Sequence, residues 1–320
     1  MSTAIASVPT VRRHSRTVLN LIGNTPLLPL HFEPEGITLL VKCDFLNPSG
    51  SIKDRLAKVV LLDAEQRGWL RPDSVILECS SGNTGIALAM VGTIMGYAVT
   101  ILMSESASLE RRRLIRQLGA ELILFQSKGR YQTGIEMSRN MAAEDPRYFL
   151  PRQFENPLNV QDHEEGTGQE ILRQVGGPID LFVTGFGTGG TLVGCGKAIK
   201  HRWPEARVFA MEPAAPGLPA GECPCCHAIE GVVDGFMPAI MKDAPLDGRV
   251  PVNGLEAMAM TRRLQREFGL LVGTSSGANV VAALRLAADL KPGAIVVTVL
   301  CDRAERYFST ALFAQGDGVA

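Results

Sequence analysis

The sequence predicts an α/β protein built from two doubly wound lobes with largely parallel sheets. Short runs rich in β-branched residues alternate with helical stretches, a pattern typical of parallel sheets with helices on both faces. The length of 320 residues suits one large α/β unit or two lobes. An Asn- and Pro-rich turn at 154–159 separates two such βα series. We therefore predict a larger lobe at 1–46 and 159–320, and a smaller, mobile lobe at 47–158.

The individual elements follow from local composition and capping. Strands are predicted at 38–42, 74–78, 98–103, 121–125, 180–184, 207–212 and 294–300. Helices are predicted at 54–67, 84–95, 108–118, 133–143, 162–174, 191–201, 254–268 and 278–290. Several of these helices begin behind a Ser, Thr, Asn or Gly, residues that favour a helix N-terminus. Ligands of such sheets bind at the carboxyl ends of the strands, so the turns there are candidate sites.

Composition narrows the class of partner. The net charge is −1, and neither a basic stripe nor a long run of charges is present, which argues against nucleic-acid or anionic-membrane partners. The sequence contains no unbroken stretch of about 18 apolar residues, which is the length needed to span a bilayer. Four of the seven cysteines are scattered through apolar or Gly-rich segments, as expected for reduced thiols in a cytoplasmic protein: Cys43, Cys79, Cys195 and Cys301.

The other three cysteines and a histidine form a compact C-P-C-C-H segment at 223–227, namely Cys223, Cys225, Cys226 and His227. Adjacent ligands rarely close a tetrahedral metal site without a distant second pair, and the sequence offers no second pair. We predict no metal site. A redox-sensitive loop and a segment with no special role both stay open.

The first candidate turn, the lysine turn, reads N-P-S-G-S-I-K-D-R at 47–55. Small residues around Lys53 let a bulky ligand approach the backbone closely. Because a helix N-terminus disfavours a cation, Lys53 is more readily available there as a neutral nucleophile. By itself, this segment would ordinarily be interpreted as a loop with a solvated lysine.

The second, the asparagine turn, reads C-S-S-G-N-T-G at 79–85 and follows the predicted strand 74–78. Its hydroxyls and amide precede a helix whose first N–H groups have no partner within the helix, an arrangement that receives a carboxylate or another anion. An ordinary helix cap explains one Ser or Thr but not the whole run of small polar residues. We expect a ligand here.

The third, the glycine turn, reads G-F-G-T-G-G-T at 185–191 and has the composition of a phosphate cradle. Three of its glycines also match the G-x-G-x-x-G fingerprint of dinucleotide sites, and Glu212 ends the next strand, roughly where a ribose acid would lie. Thr188 and Thr191 suit a terminal phosphomonoester, which has more free oxygens than a pyrophosphate. The glycine turn alone leaves both alternatives open.

The fourth, the serine turn, reads G-T-S-S-G-A at 273–278 and alone indicates only a helix cap. Together, the four turns resemble those of the cysteine synthase and cystathionine β-synthase group of fold-type II pyridoxal-phosphate enzymes, whose fold is like that of the tryptophan synthase β subunit. The resemblance runs from L-I-G-N-T-P-L, beginning at Leu21, to R-A-E-R-Y-F-S, ending at Ser309. It implies pyridoxal 5′-phosphate as cofactor, small-molecule amino-acid substrates and a homodimer.

The resemblance also implies roles for individual residues. Lys53 holds the cofactor as a Schiff base and moves the Cα proton, while Asn83 touches the phenolic oxygen of the cofactor. Ser275 pairs with the pyridine nitrogen as a neutral partner, which favours rapid loss of a β-substituent. The phosphate is bound by Gly187, Thr188, Gly189, Gly190 and Thr191. The substrate is held by Ser80, Ser81, Asn83, Thr84, Gln153 and Gly231.

The implied reaction is β-replacement on an activated L-serine through an aminoacrylate. O-acetylserine and sulfide, which give L-cysteine and acetate, are the usual pair in the group. O-phosphoserine is an alternative donor, and homocysteine, thiosulfate, cyanide, hydroxyurea or an amino acid are alternative nucleophiles. Closure of the smaller lobe would exclude water during the reaction. A nicotinamide-dependent oxidoreductase is the remote alternative.

Departures from the group's pattern bear on substrate choice. The rim at 229–238 reads I-E-G-V-V-D-G-F-M-P, so Val233 occupies a position where glycine is usual and would stiffen the cleft mouth. Ser80 replaces the customary threonine but keeps a hydroxyl. Ser104 and Ala107 replace the commoner Pro and Met. The leaving group and the nucleophile therefore stay open.

Overall fold

The computed structural model describes residues 18–33, 35–127, 131–214, 229–232 and 236–313. The cysteine-rich segment 223–227 and Val233 lie outside these residues. Across the described ranges, no group of three or more His, Cys, Asp or Glu side chains could hold a metal ion. None of the helices described is long and apolar enough to cross a membrane.

Two sheets carry the fold, and the predicted α/β class with largely parallel sheets is confirmed. The strands are β1 (Leu27–Phe32), β2 (Ile37–Cys43), β3 (Val75–Cys79), β4 (Ala98–Ser104), β5 (Glu121–Phe125), β6 (Tyr148–Phe149), β7 (Leu181–Gly185), β8 (Arg207–Pro213), β9 (Gly248–Val252) and β10 (Val296–Leu300). One sheet has the order β1-β2-β10-β7-β8-β9 and the other β5-β4-β3-β6. Among the pairs between these strands, β1 and β2 are antiparallel, since a short turn joins them, while the others are parallel.

The helices lie between the strands, as the alternation predicts. They are α1 (Lys53–Gln66), α2 (Asn83–Met95), α3 (Leu109–Gln117), α4 (Gln132–Glu144), α5 (Leu158–Asp162), α6 (Gln169–Gln174), α7 (Gly190–Arg202), α8 (Gly254–Phe268) and α9 (Thr274–Ala287). A π-helical segment, His163–Gly168, joins α5 to α6. Short 3-10 segments occur at Asp44–Leu46, Ala239–Asp243 and Ala304–Tyr307.

The structure corrects several predicted boundaries. The helix predicted at 278–290 begins at Thr274, so most of the serine turn is the first turn of α9. The first turn of α9 packs so closely against α8 that a Cβ on Gly277 would lie 2.2 Å from Thr261 Oγ1. This close packing explains the earlier start of the helix. The helix predicted at 162–174 begins at Leu158 and contains the π-helical segment. The strands β1, β6 and β9 were not predicted from the sequence.

Buried ionic contacts fix α1, which begins at Lys53, against the larger sheet. Arg55 Nε lies 2.8 Å from Asp44 Oδ2, and Arg55 Nη2 lies 2.7 Å from Glu170 Oε2. Lys42 Nζ, on β2, also lies 2.7 Å from Glu170 Oε2. Burial opposes ionisation of Glu170, but hydrogen bonds from Arg55 and Lys42 outweigh it and lower the pKa of Glu170 to about 2. The charged cluster thereby holds the first turn of α1 in place.

Candidate active site

The four turns open into one cavity of about 330 Å³. It lies at the carboxyl ends of the parallel strands β3, β7 and β10, the edge where ligands of such sheets bind. The predicted site residues that line it are Lys53, Ser81, Asn83, Thr84, Gln153, Gly187, Thr188, Gly189, Thr191, Gly231 and Ser275. The structure therefore brings together residues that are more than two hundred positions apart in the chain.

Ser80 and Gly190 do not line the cavity. The hydroxyl of Ser80 is buried and accepts hydrogen bonds from the backbone N–H groups of Gly82 and Gly85, at 3.1 and 2.8 Å. Gly190 packs against Asn159, since a Cβ at Gly190 would lie 2.0 Å from Asn159 Oδ1. Ser80 supports the asparagine turn and Gly190 supports the glycine turn, each from behind the cavity surface.

The lysine turn is held against the segment that follows β10. The backbone N–H of Ile52 donates to the carbonyl oxygen of Cys301 at 2.9 Å, and that of Arg303 donates to Gly50 at 3.1 Å. Gly50 has φ +88°, and a Cβ there would lie 2.9 Å from the side chain of Arg303. These contacts place the half-buried Lys53 at the first position of α1, facing the cavity.

The asparagine turn presents an unpaired acceptor. Asn83 Nδ2 donates to Asp302 Oδ2 at 2.7 Å, whereas Asn83 Oδ1 is buried without a hydrogen-bond partner among the described residues. Gly82, with φ +158°, passes directly beneath Arg111, because a Cβ there would lie 2.3 Å from Arg111 Cδ. Asn83 lines the cavity, and the second N–H of its Nδ2 can donate to a bound group.

Gln153 connects the asparagine turn to the loop before α5. Thr84 Oγ1 donates to Gln153 Oε1 at 2.6 Å, and Gln153 Nε2 donates to the carbonyl oxygen of Cys79 at 2.9 Å. The preceding Arg152 has φ +55°, and the backbone N–H of Gln153 donates to Glu78 Oε2 at 3.2 Å. Burial raises the pKa of Glu78 to about 7. Together, these contacts hold Gln153 on the cavity surface.

The glycine turn forms a cradle at the N-terminus of α7. Gly189 has φ +95°, and a Cβ there would lie 2.8 Å from Met241 Sδ, so only glycine fits. The hydroxyl of Thr188 accepts from Asn159 Nδ2 at 2.9 Å. With the helix N-terminus, this cradle has the features of a phosphate site.

His163 supports the cradle from beneath. Its Nε2 lies 3.2 Å from Thr191 Oγ1, and its Nδ1 lies 2.8 Å from Thr167 Oγ1. Burial and the neighbouring Arg55 lower the pKa of His163 to about 3, so the imidazole is neutral at ordinary pH. A neutral ring next to Thr191 adds no charge to the cradle.

Ser275 lies in the first turn of α9, next to the side chain of Cys301. Burial and the neighbouring Asp302 raise the pKa of Cys301 to about 12, which keeps the thiol protonated. Both side chains line the cavity and neither carries charge at ordinary pH. Ser275 therefore offers an uncharged hydroxyl to the cavity.

The sequence interpretation missed several residues of the site: Arg111, Tyr131, Asn159, His163 and Asp302. The signal for Asp302 was present, because it follows the predicted strand 294–300 and the carboxyl ends of parallel strands bear ligand sites. The composition of the 154–159 turn indicates only a boundary, although Asn159 is part of it. No local sequence pattern indicates Arg111, Tyr131 or His163, because they contribute through contacts with residues distant in sequence.

The residues present fit pyridoxal phosphate. The cradle offers backbone amides and hydroxyls to a phosphomonoester, and Lys53 offers an amine on the same cavity. The buried Oδ1 of Asn83 still lacks a donor among the described residues. This fold and this combination of turns define a pyridoxal-phosphate enzyme of fold type II.

Comparison with known proteins gives the family. Residues 18–302 match the model of the family described as "Pyridoxal-phosphate dependent enzyme", and the chain belongs to it. The chain is 40% identical to a probable cysteine synthase of Bacillus subtilis (strain 168), over 92% of this chain and 96% of that protein. It is 43% identical to O-ureido-L-serine synthase of Streptomyces lavendulae, over 95% and 93% of the two chains.

A solved structure agrees with the sequence relatives. The O-acetylserine-dependent cystathionine β-synthase of Helicobacter pylori is 34% identical, with a TM-score of 0.87 over 93% of this chain and 98% of that one. The resemblance to the cysteine synthase and cystathionine β-synthase group is confirmed, and the protein is a pyridoxal-phosphate-dependent enzyme.

The nicotinamide alternative finds no support at Glu212. This residue does not line the cavity, and its carboxylate is paired with Arg249. The fingerprint glycines belong instead to the cradle in front of α7. Because the family is pyridoxal-phosphate dependent, the nicotinamide interpretation is rejected.

Proposed function

We propose that the protein catalyses β-replacement on an activated L-serine, with O-acetylserine and sulfide giving L-cysteine and acetate. One observation carries this proposal: the lysine, asparagine, glycine and serine turns all line a single cavity. This reaction requires an amine, a binding site for a carboxylate, a binding site for a phosphate and a neutral hydroxyl. The relatives named as cysteine synthase and as O-acetylserine-dependent enzyme support the same chemistry.

Residues of all four turns would hold the cofactor. Lys53 would hold it covalently through Nζ, and the cradle at 187–191 would bind its phosphate. Asn83 would contact its phenolic oxygen, and Ser275 its pyridine nitrogen. When bound, pyridoxal phosphate supplies an electron-withdrawing ring that stabilises negative charge at the substrate Cα. A neutral hydroxyl at the ring nitrogen limits that stabilisation, which favours elimination of a β-substituent.

The asparagine turn would bind the substrate. Ser81, Asn83 and Thr84 lie at the N-terminus of α2, where unpaired backbone N–H groups favour a carboxylate. Gln153, bonded to Thr84, completes this surface, and Gly231 borders it with φ +83° and open space around its Cβ position. Lys53 Nζ would take the proton from Cα, since it faces the same cavity. We propose that Ser80 contributes by holding the turn, because its hydroxyl is engaged by backbone amides.

We also propose that residues 47–158 move as a smaller lobe and close over the bound substrate. Their sheet, β5-β4-β3-β6, is separate from the six-stranded one. Arg111 of this part contacts Glu230 at the cavity mouth, and its guanidinium lies 4.8 Å from the ring centroid of Tyr307. Closure along these contacts would exclude water from the reacting atoms.

A homodimer in the cytoplasm is proposed on the pattern of the family. The buried thiols of Cys43 and Cys195 have raised pKa values because of burial, which makes them unreactive, as suits cysteines kept reduced. The substrates would be small amino acids.

The donor and the nucleophile are best established by experiment on the holoenzyme. O-acetylserine and O-phosphoserine are each supplied with sulfide, thiosulfate, homocysteine or hydroxyurea, and products are measured by mass spectrometry. We expect O-acetylserine with sulfide to give the highest kcat/KM. A preference for hydroxyurea would instead match the relative named O-ureido-L-serine synthase. No product from any combination would overturn the β-replacement proposal.

A further inference from the structure

Asp302 joins three of the four turns. Its backbone oxygen accepts from the N–H of Gly273 at 3.1 Å, and it forms an isolated antiparallel bridge with Ser51 of the lysine turn. Its side chain accepts from Asn83 Nδ2 at 2.7 Å. Asp302 is only 1% exposed. One buried residue, directly after β10, therefore contacts the lysine, asparagine and serine turns.

The carboxylate of Asp302 selects the orientation of the Asn83 carboxamide. A carboxylate accepts hydrogen bonds and cannot donate one, so Nδ2 of Asn83 must face Asp302 and Oδ1 must face away. That Oδ1 is buried and has no hydrogen-bond partner in the described part of the chain, and Asn83 lines the cavity. Nδ2 carries a second N–H, so Asp302 leaves Asn83 with one donor for a group bound in the cavity.

Neighbouring groups fix Asp302 itself. Tyr307 OH donates to the same Oδ2 atom at 2.6 Å, and the guanidinium of Arg111 covers the Tyr307 ring. A Cβ on Gly273 would lie 2.3 Å from Asp302 Oδ1 and 2.5 Å from the Tyr307 ring. The carboxylate and the phenol therefore occupy space that only glycine leaves open, and little freedom remains for either side chain.

We propose that Asp302 is a positioning residue of the cofactor site, which fixes the orientation of the Asn83 carboxamide so that the second N–H of Nδ2 can donate to a bound group. Asp302 acts through Asn83, and it ties this orientation to the lysine turn. The inference rests on the proposed function insofar as Asn83 contacts the cofactor. It adds a determinant that lies in the segment after β10 rather than on any turn bearing a cofactor contact.

The test compares visible absorption spectra and cofactor affinities of holoenzyme variants. Asp302→Ala should change the ratio of the visible bands as Asn83→Ala does, and each should raise the apparent Kd for pyridoxal phosphate about tenfold. The double variant should be no worse than either single one, because both remove the same interaction.

Asp302→Asn should keep the wild-type spectrum, since one carbonyl oxygen can accept from both Asn83 and Tyr307. Tyr307→Phe, which spares the bond to Asn83, should keep it too.

Additive effects of Asp302→Ala and Asn83→Ala, or a wild-type spectrum for Asp302→Ala, would overturn the proposal. If Asp302→Ala does not fold, Asp302→Ser, whose side chain is too short to reach Asn83, gives the same comparison. Failure of β-replacement would be visible separately, as lack of product from the wild-type holoenzyme. The spectra would still distinguish the variants in that case.

Discussion

Thr84 Oγ1 donates a 2.6 Å hydrogen bond to Gln153 Oε1 across 69 positions of the chain. This bond joins the start of α2 to the loop before α5, and both side chains are nearly fully buried while lining the cavity. We expect this buried pair, next to the N-terminus of α2, to form part of the surface that binds the substrate carboxylate.

Gln153→Ala should therefore weaken substrate binding more than it slows turnover. Loss of a hydrogen bond to a charged group costs about 1.5–3 kcal/mol, so the KM for the amino-acid donor should rise at least about tenfold. Steady-state kinetics of the variant measure this, with the exposed Gln161→Ala as matched control. A KM equal to that of the wild type would remove Gln153 from the substrate site.

Gly190→Ala should impair the cradle. The added Cβ would lie 2.0 Å from Asn159 Oδ1, and Asn159 also bonds to Thr188, so the clash would be transmitted to the phosphate site. We expect the apparent Kd for pyridoxal phosphate to rise about tenfold or more, as measured by absorbance titration. Gly176→Ala is the control, because nothing lies within 4 Å of its Cβ position. Equal affinities in the two variants would contradict the assignment of the cradle.

His163 should make the fold sensitive to acid. Its pKa is lowered from 6.5 to about 3 in the native state, so below pH 6.5 the unfolded chain binds a proton that the native protein does not. The free energy of unfolding then falls by about 1.4 kcal/mol per pH unit, and the loss levels off near pH 3.

Urea unfolding at pH 7 and pH 5 measures this contribution. His163→Gln should lose about 2 kcal/mol less stability over that interval than the wild type. The exposed His201→Gln should keep the wild-type difference. Identical pH dependence in His163→Gln and the wild type would show that His163 takes up a proton as readily in the native state as in the unfolded chain.

The lysine, asparagine and glycine turns could be predicted because their function requires small and polar residues in short, contiguous runs. Gly189, for example, needs a positive φ that glycine readily adopts, and that requirement is visible in the sequence. The contacts that fix these turns were not predictable in the same way. Asp302 meets Asn83 only after β10 has been placed beside β2 and β7, and His163 reaches Thr191 only because α5, the π-helical segment and α7 pack together.

The sequence signals for two strands and for the start of one helix are weak. β9 contains Pro251 and lies at the edge of its sheet, where proline is tolerated but weakens the strand signal. β6 has only 2 residues, too few for an alternation pattern. α9 begins earlier than its composition indicates, because the contact with α8 outweighs the low helix propensity of T-S-S-G.

We expect Lys53 to hold the cofactor and to move the Cα proton, and the Lys53→Ala variant tests both roles. After reduction with borohydride, peptide mass mapping of the wild type should locate the cofactor on Lys53. Lys53→Ala should show no covalent cofactor and no turnover, while still binding pyridoxal phosphate through the cradle. Lys58→Ala, on the same helix, should behave as the wild type. Turnover by Lys53→Ala near the wild-type rate, or cofactor trapped on another lysine, would contradict both roles of Lys53.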